Sequence, residues 1–196
     1  MKRFKRIIVI VTDSVGAGGA PDAERFGDEG ADTLKHIDEA VPGGLKIPNL
    51  RRLGWEKATH IHPEGVKIVG SYGRMREISN GKDTTSGHWE FMGNPVENPF
   101  PVFYDAFPQD LLDTFTKKTG HGWLGNEVAS GTEIIARLGP EHIQTKKPIV
   151  YTSADSVFQI AAHTDVIPLE ELYRICEVTR KEVCVGPYEV GRVIAR

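Results

Sequence analysis

Two segments of the sequence contain residue types that could carry out chemistry on a phosphate group. Asp13 directly follows Thr12 and an apolar run, Ile7–Val11. In open α/β sheets, ligands bind outside the carboxyl ends of the strands, so a carboxylate at this position can face a binding crevice. A carboxylate is also a hard oxygen ligand suited to Mg²⁺ or Mn²⁺. The alternative interpretation is an aspartate that forms a turn or caps a helix.

The second segment, GKDTTSGHWE, spans residues 81–90 and combines a lysine, an acid and three hydroxyl residues. We expect a helix to begin between Ser86 and Trp89. Free N–H groups at a helix N-terminus attract anions, so a hydroxyl held there, such as that of Thr84, lies where its phosphate ester would be stabilised. The pattern fits a covalent phosphoryl carrier, and His88, four residues further on, could support it. The same residues also fit a set of helix caps provided by threonine or serine.

The elements that would position these residues are strands and helices in mixed order. The β-branched run Ile7–Val11 lacks alternation, which predicts a central strand covered on both faces of a mostly parallel α/β sheet. Further strands are predicted at residues 66–79 and in PIVYTSAD, residues 148–155. Helices are predicted at residues 31–37, 48–53, 109–118, 134–138 (capped by Thr132 and ended by Gly139) and 168–181.

A boundary between two domains is predicted in GNPVENPFP, residues 93–101. Three prolines and two asparagines in nine residues make regular structure improbable there. The chain would then consist of an N-terminal part of an α/β core, residues 1–96, and a second α+β domain, residues 97–196.

Composition excludes several classes of protein. The formal net charge is −3, whereas nucleic-acid-binding domains are usually clearly basic. No apolar run approaches the length of a membrane span, so no membrane partner is expected. The two cysteines, Cys176 and Cys184, lack the C-x-x-C spacing of metal or redox motifs. They indicate reduced thiols, and we therefore expect a cytoplasmic protein.

Six segments, in order along the whole chain, resemble phosphopentomutases. They are VTDSVGAGGAPDAERFGDEGADT, GKDTTSGHWEFMG, ASGTEI, YTSADSVFQIAAH, LEELYRICE and VGRVIAR. The resemblance implies the alkaline phosphatase superfamily, with an α/β core (a mostly parallel sheet and flanking helices) that binds two metals and carries an inserted cap domain. It further implies interconversion of ribose or deoxyribose 1-phosphate and the 5-phosphate, with two Mn²⁺ ions and a sugar bisphosphate, of the pentose or glucose 1,6 type, as activator.

The resemblance also implies roles for individual residues. Asp13 matches a metal ligand, and Thr84 matches the threonine that carries phosphate and touches metal. Residues that match substrate-binding positions of the cap are Ser153, Asp155, Val157, Arg192 and Ile194. For Arg192, the alternative is an exposed strand residue, which is common for arginine.

Phosphoryl transfer relies mainly on positioning and charge neutralisation. The implied reaction transfers phosphate from phosphothreonine to a pentose monophosphate, which gives a 1,5-bisphosphate, and then returns the other phosphate to Thr84. Pentose phosphates are thus the expected partners.

The resemblance implies a protein about twice this length, so we expect the chain to be an inactive fragment with an incomplete cap and an incomplete metal site. His60 and His62 could chelate a metal from one strand face, but an inert surface pair is the commoner case. Two other functions stay open: a metal-dependent phosphatase or phosphoglycerate mutase of the same superfamily, and a non-catalytic binding module.

Overall fold

The computed structural model describes residues 5–12, 15–153 and 155–196. The chain divides into two compact units, Met1–Glu77 and Ile78–Arg196. Both sides of the linker predicted at residues 93–101 lie in the second unit, and no helix or strand lies between residues 92 and 108. The division into domains at residues 96 and 97 stays a prediction.

The second unit is organised around a four-stranded sheet in the order β1-β2-β3-β4. Its strands are β1 (Leu124–Val128), β2 (Ile149–Thr152), β3 (Val157–Ala161) and β4 (Arg192–Ala195). The β1–β2 and β3–β4 pairs are parallel, whereas β2 and β3 are antiparallel. The predicted fold class, α/β with a mostly parallel sheet and flanking helices, is confirmed and is consistent with part of an alkaline-phosphatase-like fold.

Helices cover both faces of this sheet. The second unit contains α4 (Thr84–Phe91), α5 (Gln109–Thr119), α6 (Gly131–Thr145) and α7 (Leu169–Val178). Side chains of α5 and α7 pack on one face against Val150, Phe158 and Ile160. Ile134 and Leu138 of α6 pack on the other face, because alternate residues of a strand point to opposite sides.

Three ends of helices α6 and α7 differ from the sequence prediction. Helix α6 begins after Ser130, whose side chain makes no cap hydrogen bond, so Thr132 lies inside the helix rather than at its cap. The helix also continues through Gly139 and Pro140 to Thr145. Helix α7 ends at Val178 and is followed by a wider π-helical turn, Thr179–Val183. Helix propensity predicted that α6 ends at Gly139, but tertiary packing of its apolar side overrides propensity.

The described residues of the first unit form three short helices, α1 (Thr33–Ala40), α2 (Pro48–Leu53) and α3 (Trp55–Ala58). Pro48 occupies the first turn of α2, and Gly54, with φ of 107°, ends it in the left-handed conformation that glycine adopts without strain. Both features were predicted from the sequence. A 3₁₀ turn, Ala23–Phe26, precedes these helices, and another, Gly186–Tyr188, lies in the second unit.

The strands predicted at Ile7–Val11 and at residues 66–79 are wrong for the described structure, since neither segment is assigned to a strand. Ile8 is 76% exposed and Ile10 83% exposed. A strand requires a hydrogen-bonded neighbour, and all strands of the described sheet lie between Leu124 and Ala195. The apolar runs therefore have strand-like sequences without a partner strand in the described part of the chain.

A charged network holds the first unit together instead. Arg51 of α2 is fully buried and donates to the backbone oxygens of His62, at 2.6 Å, and Leu45, at 3.3 Å. Its guanidinium also lies 3.7 Å from Asp38 and 3.5 Å from Glu56. A buried cation requires such neighbours, because its desolvation is otherwise uncompensated.

Within the described residues, no helix is both long and apolar enough to cross a lipid bilayer.

Candidate active site at the N-terminus of helix α4

Thr84 is the first residue of α4, a helix that begins earlier than the sequence predicted. Asp83 is the N-cap: its carboxylate accepts hydrogen bonds from the backbone N–H of Ser86, at 3.0 Å, and from the Ser86 hydroxyl, at 2.6 Å. The alternative interpretation, in which a threonine or serine caps this helix, is therefore wrong. Since the aspartate pairs with the first turn, the Thr84 hydroxyl is left available for other contacts.

The backbone before the helix passes close to this cap at Gly81. A Cβ atom built on Gly81 would lie 2.7 Å from the Ser86 hydroxyl and 3.1 Å from the Asp83 carboxylate. Both distances are too short for ordinary contacts. Because it lacks a Cβ atom, the glycine in GKDTTSG lets the chain pass close to the cap of the helix that follows it.

Glu90, near the end of α4, fixes the segment that leads into the site. Its carboxylate accepts hydrogen bonds from the backbone N–H groups of Ser79, at 2.7 Å, and Ile78, at 3.0 Å. Hydrogen bonding from Ser79, and then from Ile78, lowers the pKa of Glu90 below its usual range. The helix is thereby tied at both ends to the chain that precedes it.

The hydroxyl of Thr84 donates to the carboxylate of Asp155, with distances of 3.2 and 3.3 Å to its two oxygens. The guanidinium of Arg192 lies 3.2 Å from the same carboxylate. Asp155 follows β2 and Arg192 begins β4, so the sheet brings together residues that are 71 and 37 positions apart. The structure therefore joins three of the predicted site residues, Thr84, Asp155 and Arg192, in one hydrogen-bonded group.

The other predicted site residues have different surroundings. Ser153 follows β2 and is half-buried. Val157, the first residue of β3, is 2% exposed and is paired in register with Arg192. Ile194 lies two residues after Arg192, on the same face of β4. Asp13 lies outside the described residues.

Two residues that the sequence did not single out hold Arg192 in place. The Ser156 hydroxyl donates to the backbone oxygen of Pro101, at 2.5 Å, and accepts from the N–H of Gly191, at 3.1 Å. The N–H of Arg192 in turn donates to the Ser156 backbone oxygen, at 3.2 Å. A Cβ on Gly191 would lie 3.2 Å from the Thr85 hydroxyl. In the sequence, Ser156 and Gly191 could have been identified only by their position next to predicted site residues.

His88 is exposed on α4, and its Nδ1 lies 2.7 Å from the Thr84 backbone oxygen. A carbonyl oxygen only accepts hydrogen bonds, so Nδ1 of His88 is the donor. His88 therefore contacts the backbone of Thr84, one turn away.

The histidines considered as a metal-binding pair are each engaged with a carboxylate. His60 Nδ1 pairs with Asp32, and His62 Nδ1 lies 2.6 Å from Asp38. Residues 60–62 do not form a strand, so the shared strand face that the sequence suggested does not exist in the described structure. Over residues 5–12, 15–153 and 155–196, no group of three or more His, Cys, Asp and Glu side chains is arranged to hold a metal ion.

Comparison with known proteins supports the resemblance. The chain is 54% identical to the phosphopentomutase of Caldanaerobacter subterraneus subsp. tengcongensis over 195 residues, 98% of this chain and 49% of that protein. It is 53% identical to the phosphopentomutase of Clostridium acetobutylicum over 196 residues, again 98% of this chain and 49% of the relative. The phosphopentomutase of Carboxydothermus hydrogenoformans is 54% identical over 198 residues, 98% of this chain and 50% of its own.

No family model matches the chain. The chain spans about half the length of the curated relatives it matches, and the matched half is the N-terminal one. Over nearly its whole length, the chain is therefore a homologue of the N-terminal half of phosphopentomutases.

Proposed function

We propose that this chain supplies the phosphoryl-carrying threonine and part of the sugar-phosphate site of a phosphopentomutase. The reaction would interconvert ribose or deoxyribose 1-phosphate and the corresponding 5-phosphate through a pentose 1,5-bisphosphate. The observation that carries the proposal is the contact of the Thr84 hydroxyl, at the start of α4, with the pair formed by Asp155 and Arg192. All three residues lie in the region that is 53–54% identical to the phosphopentomutases.

Thr84 is the proposed phosphoryl carrier. In the forward half-reaction, the bond between phosphorus and the Thr84 oxygen breaks, a bond to a pentose hydroxyl oxygen forms, and the proton of that hydroxyl ends on Thr84. The second half-reaction reverses these steps with the other phosphate of the bisphosphate. The first-turn N–H groups of α4 favour the negative charge that phosphothreonine brings.

Arg192 is the proposed phosphate-binding residue of the sugar site. A guanidinium binds phosphate through two parallel N–H groups, and this fixes the orientation of the phosphate as well as its place. Ser156 and Gly191 hold the backbone of Arg192 next to the start of β3. Ser153, Asp155, Val157 and Ile194 are the further residues that we propose to line the pentose site.

The resemblance also implies two Mn²⁺ ions, for which Asp13 and Thr84 would be ligands. The described residues offer no group of three metal-binding side chains, so they do not fit a complete two-metal site. The full activity is proposed for a protein of the length of the relatives.

A chimera tests the proposal. Residues 1–196 would replace the matching half of the phosphopentomutase of C. subterraneus, and conversion of ribose 1-phosphate to ribose 5-phosphate would be measured with Mn²⁺. We expect turnover in the chimera, and a loss of at least about 10³-fold with Thr84→Val, because the nucleophile is removed. Thr116→Val, in the exposed part of α5, is the matched control and should retain activity.

Three results would contradict parts of the proposal. Unchanged turnover in the Thr84→Val chimera would exclude Thr84 as the phosphoryl carrier. Release of inorganic phosphate, or conversion of 3-phosphoglycerate, would identify a phosphatase or a phosphoglycerate mutase instead. Mutase turnover by the purified 196-residue chain alone would contradict the expectation that this chain is inactive by itself.

A further inference from the structure

We propose that Asp155 is a specificity-determining residue. Its carboxylate occupies the place where a phosphate group would contact both Thr84 and Arg192. Only a ligand with the charge of a phosphoryl dianion would then displace it. The inference rests on the proposed function, because that function makes Thr84 the phosphoryl carrier and Arg192 the phosphate-binding residue. It adds a role for Asp155 that contact with a sugar hydroxyl does not explain.

The contacts of the Asp155 carboxylate are those that a phosphate would make. It accepts from the Thr84 hydroxyl at 3.2 and 3.3 Å, and it lies 3.5 Å from the Thr84 backbone nitrogen. It also pairs with the guanidinium of Arg192 at 3.2 Å. A hydroxyl, a backbone N–H at a helix N-terminus and a guanidinium form a set of donors suited to an oxyanion. The chain's own carboxylate uses all three.

The contacts are also weak enough to exchange. The side chain of Asp155 is 39% exposed and that of Arg192 is 42% exposed. An ion pair with this exposure is screened by water and contributes little stability. A phosphoryl dianion offers more charge and more acceptor oxygens than one carboxylate, so it can replace Asp155 on the same donors. A monoanion with a single carboxyl group offers no such advantage.

Thr84 and Arg192, the two partners of Asp155, are held in place by other contacts, so a phosphate could replace the Asp155 carboxylate without moving their backbones. Asp83 caps α4 and Glu90 ties its far end, so the backbone of Thr84 is held independently of Asp155. Arg192 is held through Ser156 and Gly191. Movement of the Asp155 side chain alone would therefore expose a set of donors whose backbone positions do not depend on it.

Titration of the purified chain with inorganic phosphate at pH 8 tests the inference. Amide chemical shifts of Thr84, Gly191 and Arg192 would give the dissociation constant. We expect Asp155→Asn to bind phosphate roughly three- to ten-fold more tightly than the unchanged chain, because the competing carboxylate is lost. Asp165→Asn removes the same charge from a side chain that is 90% exposed, and it should leave the affinity unchanged.

Two further measurements test whether phosphate binds at Arg192 and whether its charge matters. Arg192→Gln should weaken phosphate binding in the Asp155→Asn background. Acetate, a monoanion, should shift these amides in Asp155→Asn at concentrations that do not affect the unchanged chain.

An unchanged or weaker phosphate affinity in Asp155→Asn overturns the inference, as does equal binding of acetate and phosphate by the unchanged chain. The absence of phosphate-dependent shifts in both proteins overturns it too. These outcomes are distinct from failure of the proposed function, which is measured by pentose phosphate turnover in the chimera and does not depend on inorganic phosphate.

Discussion

Residues 78–196 bury apolar side chains on both faces of a sheet, whereas the first unit is organised around a buried cation. Leu34 and Ile61 are the buried apolar side chains among the described residues of the first unit. Its apolar run Ile7–Val11 is exposed, and Arg51 occupies the interior instead. Apolar burial stabilises largely without regard to direction, but a buried cation depends on particular partners. The two units should therefore respond differently to substitution.

The largest effect is expected in the second unit. Phe158 is fully buried and packs against Phe107, with ring centroids 4.4 Å apart. Phe158→Ala should lower the free energy of unfolding of this unit by about 4 kcal/mol, because it removes buried surface and leaves a cavity. Denaturant unfolding measures the change. Tyr173→Ala, at a side chain that is 57% exposed, is the control. A loss below about 1 kcal/mol would contradict a tightly packed apolar core.

A comparable but local effect is expected from Arg51→Met. The substitution leaves the carboxylates of Asp38 and Glu56 buried without their cation, which should cost about 3 kcal/mol. Amide hydrogen exchange should accelerate in α1 and α2 and stay unchanged in β2 and β3. Arg52→Met, at the exposed neighbouring arginine, is the control. Retained protection in the first unit would show that the network around Arg51 does not hold it together.

Acid should destabilise each unit through a carboxylate of its own. Burial alone would raise the pKa of Asp38, but hydrogen bonds from the backbone of His62 and Leu45, and from the His62 ring, outweigh it and lower the pKa to about 2. The lowered pKa means that Asp38 stabilises the first unit above its unfolded pKa, 3.8, and that this stability is lost as the pH falls towards 2. Asp38→Asn should therefore flatten the pH dependence of the first unit between those values.

The matched substitution in the second unit is Glu171→Gln. Hydrogen bonds from Arg174 and His121 lower the pKa of Glu171 to about 2, so this unit also loses stability in acid. Hydrogen exchange followed from pH 5 to pH 2 should show that each substitution flattens the profile of its own unit. A profile of the first unit that is the same with and without Asp38 would contradict the proposed linkage.

The smallest effect is expected at the exposed apolar run. Ile8→Lys and Ile10→Lys should change the free energy of unfolding by less than about 0.5 kcal/mol, since both side chains are already exposed. Sedimentation velocity should show less self-association, because exposed apolar surface promotes contact between chains. Ile160→Lys, at a buried position of β3, should by contrast unfold the second unit. Strong destabilisation by Ile8→Lys would mean that the run is packed in the folded chain.

The sequence predicted elements well where local signals and packing agree. Helix α2 follows from Pro48 and Gly54, and helix α5 from the apolar spacing of Leu111, Leu112 and Phe115. The strand at Ile7–Val11 was predicted from the same kind of signal and is absent, because pairing depends on a neighbour that a local pattern does not report. The predicted strand in PIVYTSAD does form, as β2, and it pairs with β3.

The candidate site shows the same division between local and distant information. Thr84, Asp155 and Arg192 were identified by resemblance, and the structure places them in contact. Spacing alone could not have joined them, since the sheet that brings them together was only partly predictable. The cap residue Asp83 and the support from Ser156 were missed, because the choice among neighbouring polar residues depends on backbone geometry rather than on residue type.

The residues of the candidate site are far apart in the sequence, and this determines when the site can form during folding. The contact between Thr84 and Asp155 closes a loop of 71 residues, and the contact to Arg192 requires β4, the last strand of the sheet. Closing such loops costs entropy before any contact compensates for it, so long-range pairing forms slowly. During synthesis the threonine leaves the ribosome more than a hundred residues ahead of the arginine. The site is therefore assembled only after β4 has joined the sheet, and its amide signals would report completion of that sheet.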